Sequence, residues 1–392
     1  MKDIVIIADF CGPLDGTYNS RFLYLADMLA KDNDVEIVTS DFDHSSKGYY
    51  HHEIEKHDYP IRLLHEGAYP QNVCLRRFYG HFIWGKNVKK YLNRRKKPDV
   101  IYCAIPTLTA SYEAAKFCEK NGIRFVIDIQ DLWPEAFRMA FHIPIISNIL
   151  FAPFNALANG IYRRADAICA VSDTYCQRAF KKNRKCKETT TVFLGTELNT
   201  FDKYAGNDPV LEKKENEIWL GYAGTLSTSY DLPLIFEAMR KLSYSHLRLI
   251  VMGDGPKRKE FESQASGLNV TFLGRLEYSQ MCGMLCNCDM VVNPIIGTSV
   301  ASIINKHADY ASCGKPVLNT QNSEEYRRLI SDYKMGFNCD SVEELYRFLL
   351  LLINDVSLRI TMGRNARKCA EELFNRTESY SRLVQEILKA DE

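Results

Sequence analysis

The feature that most constrains this chain is an alternation that stops once and starts again. Short apolar runs rich in β-branched residues trade places with stretches of helical periodicity. In the first half the runs are Ile4–Asp9, Val35–Thr39, Ile61–Leu64, Val100–Ala104, Arg124–Asp128, Ala167–Val171 and Thr191–Leu194. Between them apolar residues recur at helical spacing, as in Asn19–Lys31 (Phe22, Leu25, Ala26, Leu29) and in Leu108–Asn121, where Gly122 supplies a stop. Strands buried on both faces and separated by helices form parallel sheets. The polar stretch Asn199–Asn216, with Gly206 and Pro209, breaks the pattern and reads as a linker. Beyond it the pattern predicts strands at Ile218–Ala223, Leu247–Met252, Val270–Leu273, Met290–Pro294 and Pro316–Thr320. Helices are expected at Leu232–Leu242, Pro256–Ala265, near Ser279–Leu285 and near Ser302–Ala311, and almost throughout the tail after Leu345.

A chain of 392 residues has room for two such α/β units. The expected fold class is therefore α/β with two Rossmann-like, doubly wound domains. The first is expected at residues 1–198 and the linker at 199–216. The second is expected at 217–374, followed by a C-terminal helix, 375–392, able to pack back on the first domain. Open parallel sheets take ligands at the carboxyl ends of their strands, so the expected site is a cleft faced by both domains.

Composition works by exclusion. Fifty Lys+Arg against 49 Asp+Glu leave a net charge of +1, which argues against a nucleic-acid partner. No apolar run reaches the ~18–20 residues of a bilayer span. The opening stretch Met1–Asp9 is too brief for a secretory leader, and a cytoplasmic location is expected. Thirteen cysteines, an odd number spread from Cys11 to Cys369, suit neither a disulfide framework nor a zinc site. The one tight group, Cys282, Cys286 and Cys288, has no CxxC pair and no nearby histidine, so buried reduced thiols are expected. There is no GxxxxGK[ST] phosphate loop, GxGxxG fingerprint, HExxH helix or GxSxG elbow. His44, His51, His52 and His57 lie in a polar, loop-like region and read as solvated.

Four strand-end turns carry the candidate chemistry. Asp9–Gly16 follows the first strand, and its Gly12 and Gly16 let backbone amides approach an anion at a helix start. Gly221–Asp231 offers glycines and hydroxyls suited to a phosphate or sugar, and Val251–Pro256 closes a later strand. Gly297–Tyr310 runs from a strand end into a helix, with Ser299 and Ser302 near its N-terminus. Lys306 and Asp309, three apart, share one helical face. They read as a cation for phosphate and a carboxylate for ribose hydroxyls, with a plain surface ion pair as the alternative.

In order, Gly224-Thr-Leu-x-x-Ser-Tyr-Asp-Leu232, Gly253-Asp-Gly-Pro256, Leu273-Gly-Arg275, Ser302-Ile-x-Asn-Lys-x-x-Asp-Tyr310 and Gly314-Lys-Pro-Val317 resemble the donor domain of family 4 glycosyltransferases of the GT-B fold. In the first half Asp128-Ile-Gln-Asp-Leu-Trp-Pro-Glu135, Arg164–Ser172 and the Gly195-Thr-Glu197 turn resemble bacterial capsule and O-antigen transferases. The resemblance implies a retaining enzyme that moves a sugar from a nucleotide-sugar donor without a metal or other cofactor. It places Gly224, Thr225, Gly253, Leu276, Ser299, Ser302, Ile303 and Asp309 at the donor, with Asp309 on the ribose. Arg275 and Lys306 would stabilise the leaving diphosphate. Asp131 would position the acceptor, with Gly12, Gly16, Asp128 and Trp133 around it. The chain departs from the family at Ala301, where many members carry glutamate, and at Thr225 and Tyr230, where many carry Arg and Lys. Phosphate neutralisation then rests on Lys306, Arg275 and helix amides.

Cys74–Pro98 holds nine basic residues and no acidic one, with apolar residues at helical spacing. Such a segment, Arg76–Lys97, fits an amphipathic helix on an anionic membrane surface, the alternative being a buried helix with a basic edge. Phe137–Leu157 offers a second apolar contact, the alternative being that it lines a core. Together these suggest a lipid-linked glycan acceptor and a peripheral position on the inner face of the plasma membrane. Two other readings remain open: a nucleotide-sugar epimerase on a similar twin fold, and a non-catalytic sugar-nucleotide binder.

Overall fold

The computed structural model describes residues 1–12, 14, 20–50, 54–72, 74–136, 150–296 and 303–389. The chain divides into two compact units, Met1–Val192 with Tyr380–Glu392, and Phe193–Ser379.

The first unit is built on strands β1 (Asp3–Ile7), β2 (Asp34–Ser40), β5 (Ile61–Leu64), β6 (Val100–Ile105), β7 (Arg124–Ile129), β8 (Ala167–Ala170) and β9 (Thr190–Thr191). They form one sheet in the order β5-β2-β1-β6-β7-β8-β9, every pair parallel. Ile4 and Ile6 are fully buried, as strands covered on both faces require. A small antiparallel hairpin, β3 (Phe42–Asp43) with β4 (Gly48–Tyr49), follows β2. The helices are α1 (Arg21–Leu29), α2 (Leu75–Leu92), α3 (Leu108–Asn121), α4 (Ala152–Arg164) and α5 (Asp173–Phe180). Helix α3 ends where Gly122 takes a φ of +64°, the left-handed conformation that glycine adopts freely.

The second unit begins with α6 (Leu198–Ala205). This corrects the reading of 199–216 as linker throughout. Leu198 and Phe201 lie one helical turn apart and enter the core, while the Glu197 carboxylate accepts the Thr200 N–H as an N-cap. Strands β10 (Ile218–Ala223), β11 (Leu247–Met252), β12 (Val270–Gly274), β13 (Met290–Asn293), β14 (Val317–Asn319) and β15 (Gly336–Asn338) form the sheet β12-β11-β10-β13-β14-β15, again parallel throughout. Around it lie α7 (Leu232–Leu242), α8 (Arg258–Gln264), α9 (Tyr278–Asn287), α10 (Asn305–Ser312), α11 (Glu324–Tyr333), α12 (Val342–Asn354) and α13 (Val356–Cys369). A π-helical turn, Ala370–Phe374, leads into α14 (Arg376–Leu388), whose Tyr380, Leu383 and Ile387 are buried in the core of the first unit.

In both sheets the strand order reverses beside the first strand, β1 lying between β2 and β6 and β10 between β11 and β13. Such a reversal opens a crevice at the carboxyl ends of the strands. All thirteen cysteines are free thiols, and burial pushes those of Cys11, Cys103 and Cys288 up to about 12. No helix among the described residues is long and apolar enough to cross a membrane.

Candidate active site

In the second unit the strand-end turns are tied together by backbone bonds. Gly224 N–H donates to the Met252 carbonyl at 2.9 Å, Leu226 N–H to Asp254 at 2.9 Å, and Gly253 N–H to Gly274 at 2.7 Å. Gly224 and Gly253 have φ of +152° and +155°, and a Cβ on Gly253 would collide with the Gly224 carbonyl. Glycine is thus required where the two turns meet. This row brings Gly224, Thr225 and Gly253 together, with Arg275 and Leu276 directly after β12. Thr225 and Arg275 are exposed, and Arg275 makes no ion pair among the described residues.

Helix α10 lies just past β13, at the crevice. Ile303, ahead of it, is buried in the core; Ser299, Ser302 and Ala301 lie outside the described residues. Lys306 and Asp309 do not pair with each other. The Lys306 Nζ lies 4.6 Å from the ring centre of Tyr222 and 4.0 Å from that of Tyr230, shut off from solvent and without a hydrogen-bond partner among the described residues. Burial pushes its pKa down to about 7. Asp309 instead takes bonds from the hydroxyls of Thr196 (2.9 Å) and Tyr278 (2.8 Å), both on Oδ1. Burial raises its pKa and these bonds oppose the rise. Next in the helix, His307 stacks on Tyr326 at 3.6 Å and accepts the Ile304 N–H on Nδ1, while Nε2 meets Asn293 at 3.2 Å. That buried network fixes where α10 starts.

Within the first unit a polar cluster gathers just past the carboxyl ends of β1 and β5. Asp9, just after β1, accepts the Thr107 hydroxyl at 2.5 Å on Oδ2. Glu66, just after β5, accepts the Ser40 hydroxyl at 2.7 Å on Oε2. His81 of α2 places Nε2 3.6 Å from Glu66 and 4.0 Å from Asp9, and Arg77 Nε lies 3.4 Å from the same nitrogen. Asp9 Oδ1 and Glu66 Oε1 are buried and have no hydrogen-bond partner among the described residues. Burial raises the pKa of both carboxyls, and a proton between them gives each the hydrogen bond it lacks. The donor atoms of Asp9, Glu66 and His81 are close enough for a cation to bridge. Arg77 also supplies positive charge there.

Trp133 stacks on His81 with ring centres 5.3 Å apart and planes 2° from parallel, and Arg77 lies 4.6 Å from its ring. Its Nε1–H donates to Asp131 Oδ2 at 3.1 Å, and Leu132 N–H donates to Oδ1 at 2.9 Å. Asp131, Trp133, Arg77, His81 and the acid pair therefore form one contiguous group. Burial raises the pKa of Asp131 against those two bonds. Gly12 leaves room for the Tyr50 hydroxyl, with which a Cβ would collide, whereas Gly16 lies outside the described residues.

Two expectations need correction. Asp128 is fully buried and accepts Nε (2.8 Å) and Nη2 (3.0 Å) of Arg21 and Nε2 of Gln130 (2.6 Å), so it neutralises a core cation and its burial keeps it from an acceptor. His44 is half-buried, bonded at 2.7 Å to the Tyr69 hydroxyl and packed on Phe10. Burial together with Arg77 and Lys47 pushes its pKa down to about 4, so it is not a solvated histidine; His51 and His52 lie outside the described residues.

Helix α2 is two-sided. Trp84, Val88 and Leu92 are buried, whereas Leu75, Tyr79 and Phe82 face solvent at 86%, 65% and 46% exposure among the exposed bases Arg76, Lys86 and Lys90. Phe78 touches Phe154 of α4 at 5.2 Å, and exposed Leu150 lies just ahead of α4. Lys89 pairs with Glu113, and Arg95 with Asp3 and Glu36.

Residues 19–193 match the model described as Glycosyltransferase Family 4, and residues 217–355 match Glycosyl transferases group 1. An uncharacterized glycosyltransferase of Methanocaldococcus jannaschii is 22% identical over 239 residues, an alignment spanning 58% of this chain and 60% of that protein. HepE from Anabaena, solved with UDP-glucose, superposes with a TM-score of 0.66 at 17% identity, over 98% of this chain and 99% of its own. WaaG, a glycosyltransferase involved in lipopolysaccharide biosynthesis, gives 0.67 at 16% identity over 99% and 100%. A Listeria monocytogenes protein assigned as a UDP-N-acetylglucosamine 2-epimerase gives 0.61 at 13% identity over 100% and 98%. Fold likeness alone does not separate transferase from epimerase; the two family models do. With one model matching each half, the chain belongs to the family 4 glycosyltransferases of GT-B fold.

Proposed function

We propose that this chain is a retaining glycosyltransferase that moves a sugar from a nucleotide-sugar donor, held by the second unit, to a lipid-linked glycan of capsule or O-antigen type, held by the first. The observation that carries the reading is that α10 holds both a buried cation, Lys306, which no described residue neutralises, and a carboxylate, Asp309, whose two bonds among the described residues both fall on Oδ1. Asp309 Oδ2 accepts a ribose hydroxyl, while Lys306 and Arg275 take the diphosphate. Their positive charge is spent where it matters for rate, on the oxygen that becomes negative as the bond from the anomeric carbon to phosphate breaks. The acceptor oxygen attaches to the same face, and its proton passes to the departing phosphate oxygen. No protein base is needed for that step, and Asp131 orients the acceptor rather than deprotonating it. The reading requires no metal.

The solved complexes of Anabaena HepE with UDP and UDP-glucose make UDP-sugars the first donors to test. Leu75, Tyr79 and Phe82 among Arg76, Lys86 and Lys90 fit insertion into an anionic bilayer surface, where a lipid-linked acceptor resides. The experiment is incubation with nucleotide sugars, with and without a bacterial lipid extract. Release of nucleoside diphosphate only with the extract, and glycosylated lipid in the product, are expected. Isomerised donor formed without any acceptor would favour an epimerase. Saturable binding with no diphosphate released would favour a non-catalytic binder.

A further inference from the structure

Lys306 is placed in an unusual way for a phosphate ligand. Its ammonium is enclosed by two aromatic faces, and the space it fills exists because residue 224 is glycine: a Cβ there would sit 2.7 Å from Nζ. Both rings are held independently of the lysine. The Tyr222 hydroxyl donates to the Thr225 carbonyl at 2.8 Å, and the Tyr230 ring meets Tyr222 edge-on at 5.8 Å. The Tyr230 backbone is pinned beside the extension of β13 by a bridge to Ile295, with Asp231 N–H donating to Pro294 at 2.7 Å and Ile296 N–H to Ser229 at 3.0 Å. No carboxylate among the described residues neutralises the ammonium. Its electrostatic partners are the negative faces of the two rings.

Resting on the reading of the second unit as the donor site, we infer that Tyr222 and Tyr230 form an aromatic cage that holds Lys306 at the Gly224 turn, and that Tyr230 is a positioning residue for binding the donor diphosphate. The cage performs two tasks. It offsets part of the hydration the buried ammonium has lost, and it fixes a flexible four-carbon side chain before the anion arrives, so less entropy is lost on binding. A carboxylate in its place would neutralise the lysine and compete with phosphate. A ring attracts the cation and leaves its charge available.

The test is a double-mutant cycle on nucleotide affinity, titrating UDP, GDP and ADP in parallel because all three carry the diphosphate. For the nucleotide that binds, Lys306→Ala is expected to weaken affinity about ten-fold or more. Tyr230→Leu should weaken it about five- to ten-fold, and Tyr230→Phe, which keeps the ring, less than about two-fold. The double variant Lys306→Ala/Tyr230→Leu should bind no worse than Lys306→Ala, because the tyrosine acts only through the lysine. Thermal melts of each variant accompany the titrations, and the retained ring of Tyr230→Phe separates cage loss from general misfolding. The cage is overturned if Lys306→Ala is weakened while Tyr230→Leu binds like the parent, or if the two losses are additive. If none of the three nucleotides binds the parent, or Lys306→Ala binds like it, the donor-site reading itself falls.

Discussion

The Tyr278 hydroxyl donates to Asp309 Oδ1 at 2.8 Å, tying the first residue of α9 to the middle of α10. Thr196 adds a second bond to the same oxygen, so the carboxylate is aimed before any ligand arrives. Removing one donor leaves a buried acid short of a partner. Tyr278→Phe should lower the unfolding free energy of the second unit by roughly 1.5–3 kcal/mol, the range for a hydrogen bond to a charged group. Urea denaturation measures this, and an unchanged midpoint would show that the bond contributes nothing.

The buried Arg21–Asp128 pair gives a prediction of a different kind. Asp128→Asn removes the charge and strands a guanidinium in the core, which costs about 3–5 kcal/mol in buried pairs. The expected outcome is a large loss of stability in the first unit, read by chemical denaturation. A fully stable variant that has lost only acceptor use would restore Asp128 to the acceptor site.

For the acid pair, the sign follows from the direction of the shifts. Asp9 and Glu66 hold protons more tightly in the fold than at their ordinary values of 3.8 and 4.5. Above that range the folded state therefore binds more protons than the unfolded chain, and the pair costs stability as pH rises. The groups facing it, Arg77, His81 and Thr107, remain in place whichever acid carries the proton. Glu66→Gln mimics the protonated carboxyl permanently, so thermal melts between about pH 5 and pH 9 should fall less steeply for the variant than for the parent. Parallel curves would mean the pair holds no extra proton.

On helix α2, the exposed residues make a sharper target for the proposed membrane contact than the basic run as a whole, since Lys89 and Arg95 are engaged in ion pairs. Replacing Leu75, Tyr79 and Phe82 by Ser should abolish co-sedimentation with anionic vesicles. Charge reversal at Arg76, Lys86 and Lys90 should make the residual binding insensitive to salt. Unchanged partitioning in both variants would remove α2 as the contact.

Much of the fold is legible in the sequence where period and punctuation agree. Strands β10 and β11 and helices α3 and α7 match their expected ranges to the residue, because buried apolar runs and amphipathic turns leave little choice of boundary. Short elements escape: β15 is three half-buried residues, and α6 hides in a polar stretch because only Leu198 and Phe201 need covering. At the site, Lys306 and Asp309 are visible as a pair on one face, but their partners are not. Tyr230 and Thr196 lie in sequence motifs and Tyr222 in a strand-end turn, but nothing in the sequence pairs them, or Tyr278, with α10, which they meet only through the order of the sheet. Asp9, Glu66 and His81 come from three separate elements, and a buried acid at a strand end looks in sequence like any loop aspartate or glutamate. Asp128 misleads for the same reason, since its partner Arg21 lies 107 residues away.

The most direct measurement is a thermal-shift screen of nucleotide sugars against the parent protein and the Asp309→Ala and Lys306→Ala variants. One nucleotide sugar should raise the parent's midpoint in a concentration-dependent way, and that rise should shrink or vanish in both variants. A parent that no nucleotide sugar stabilises, or variants that respond as the parent does, would contradict a donor site on α10.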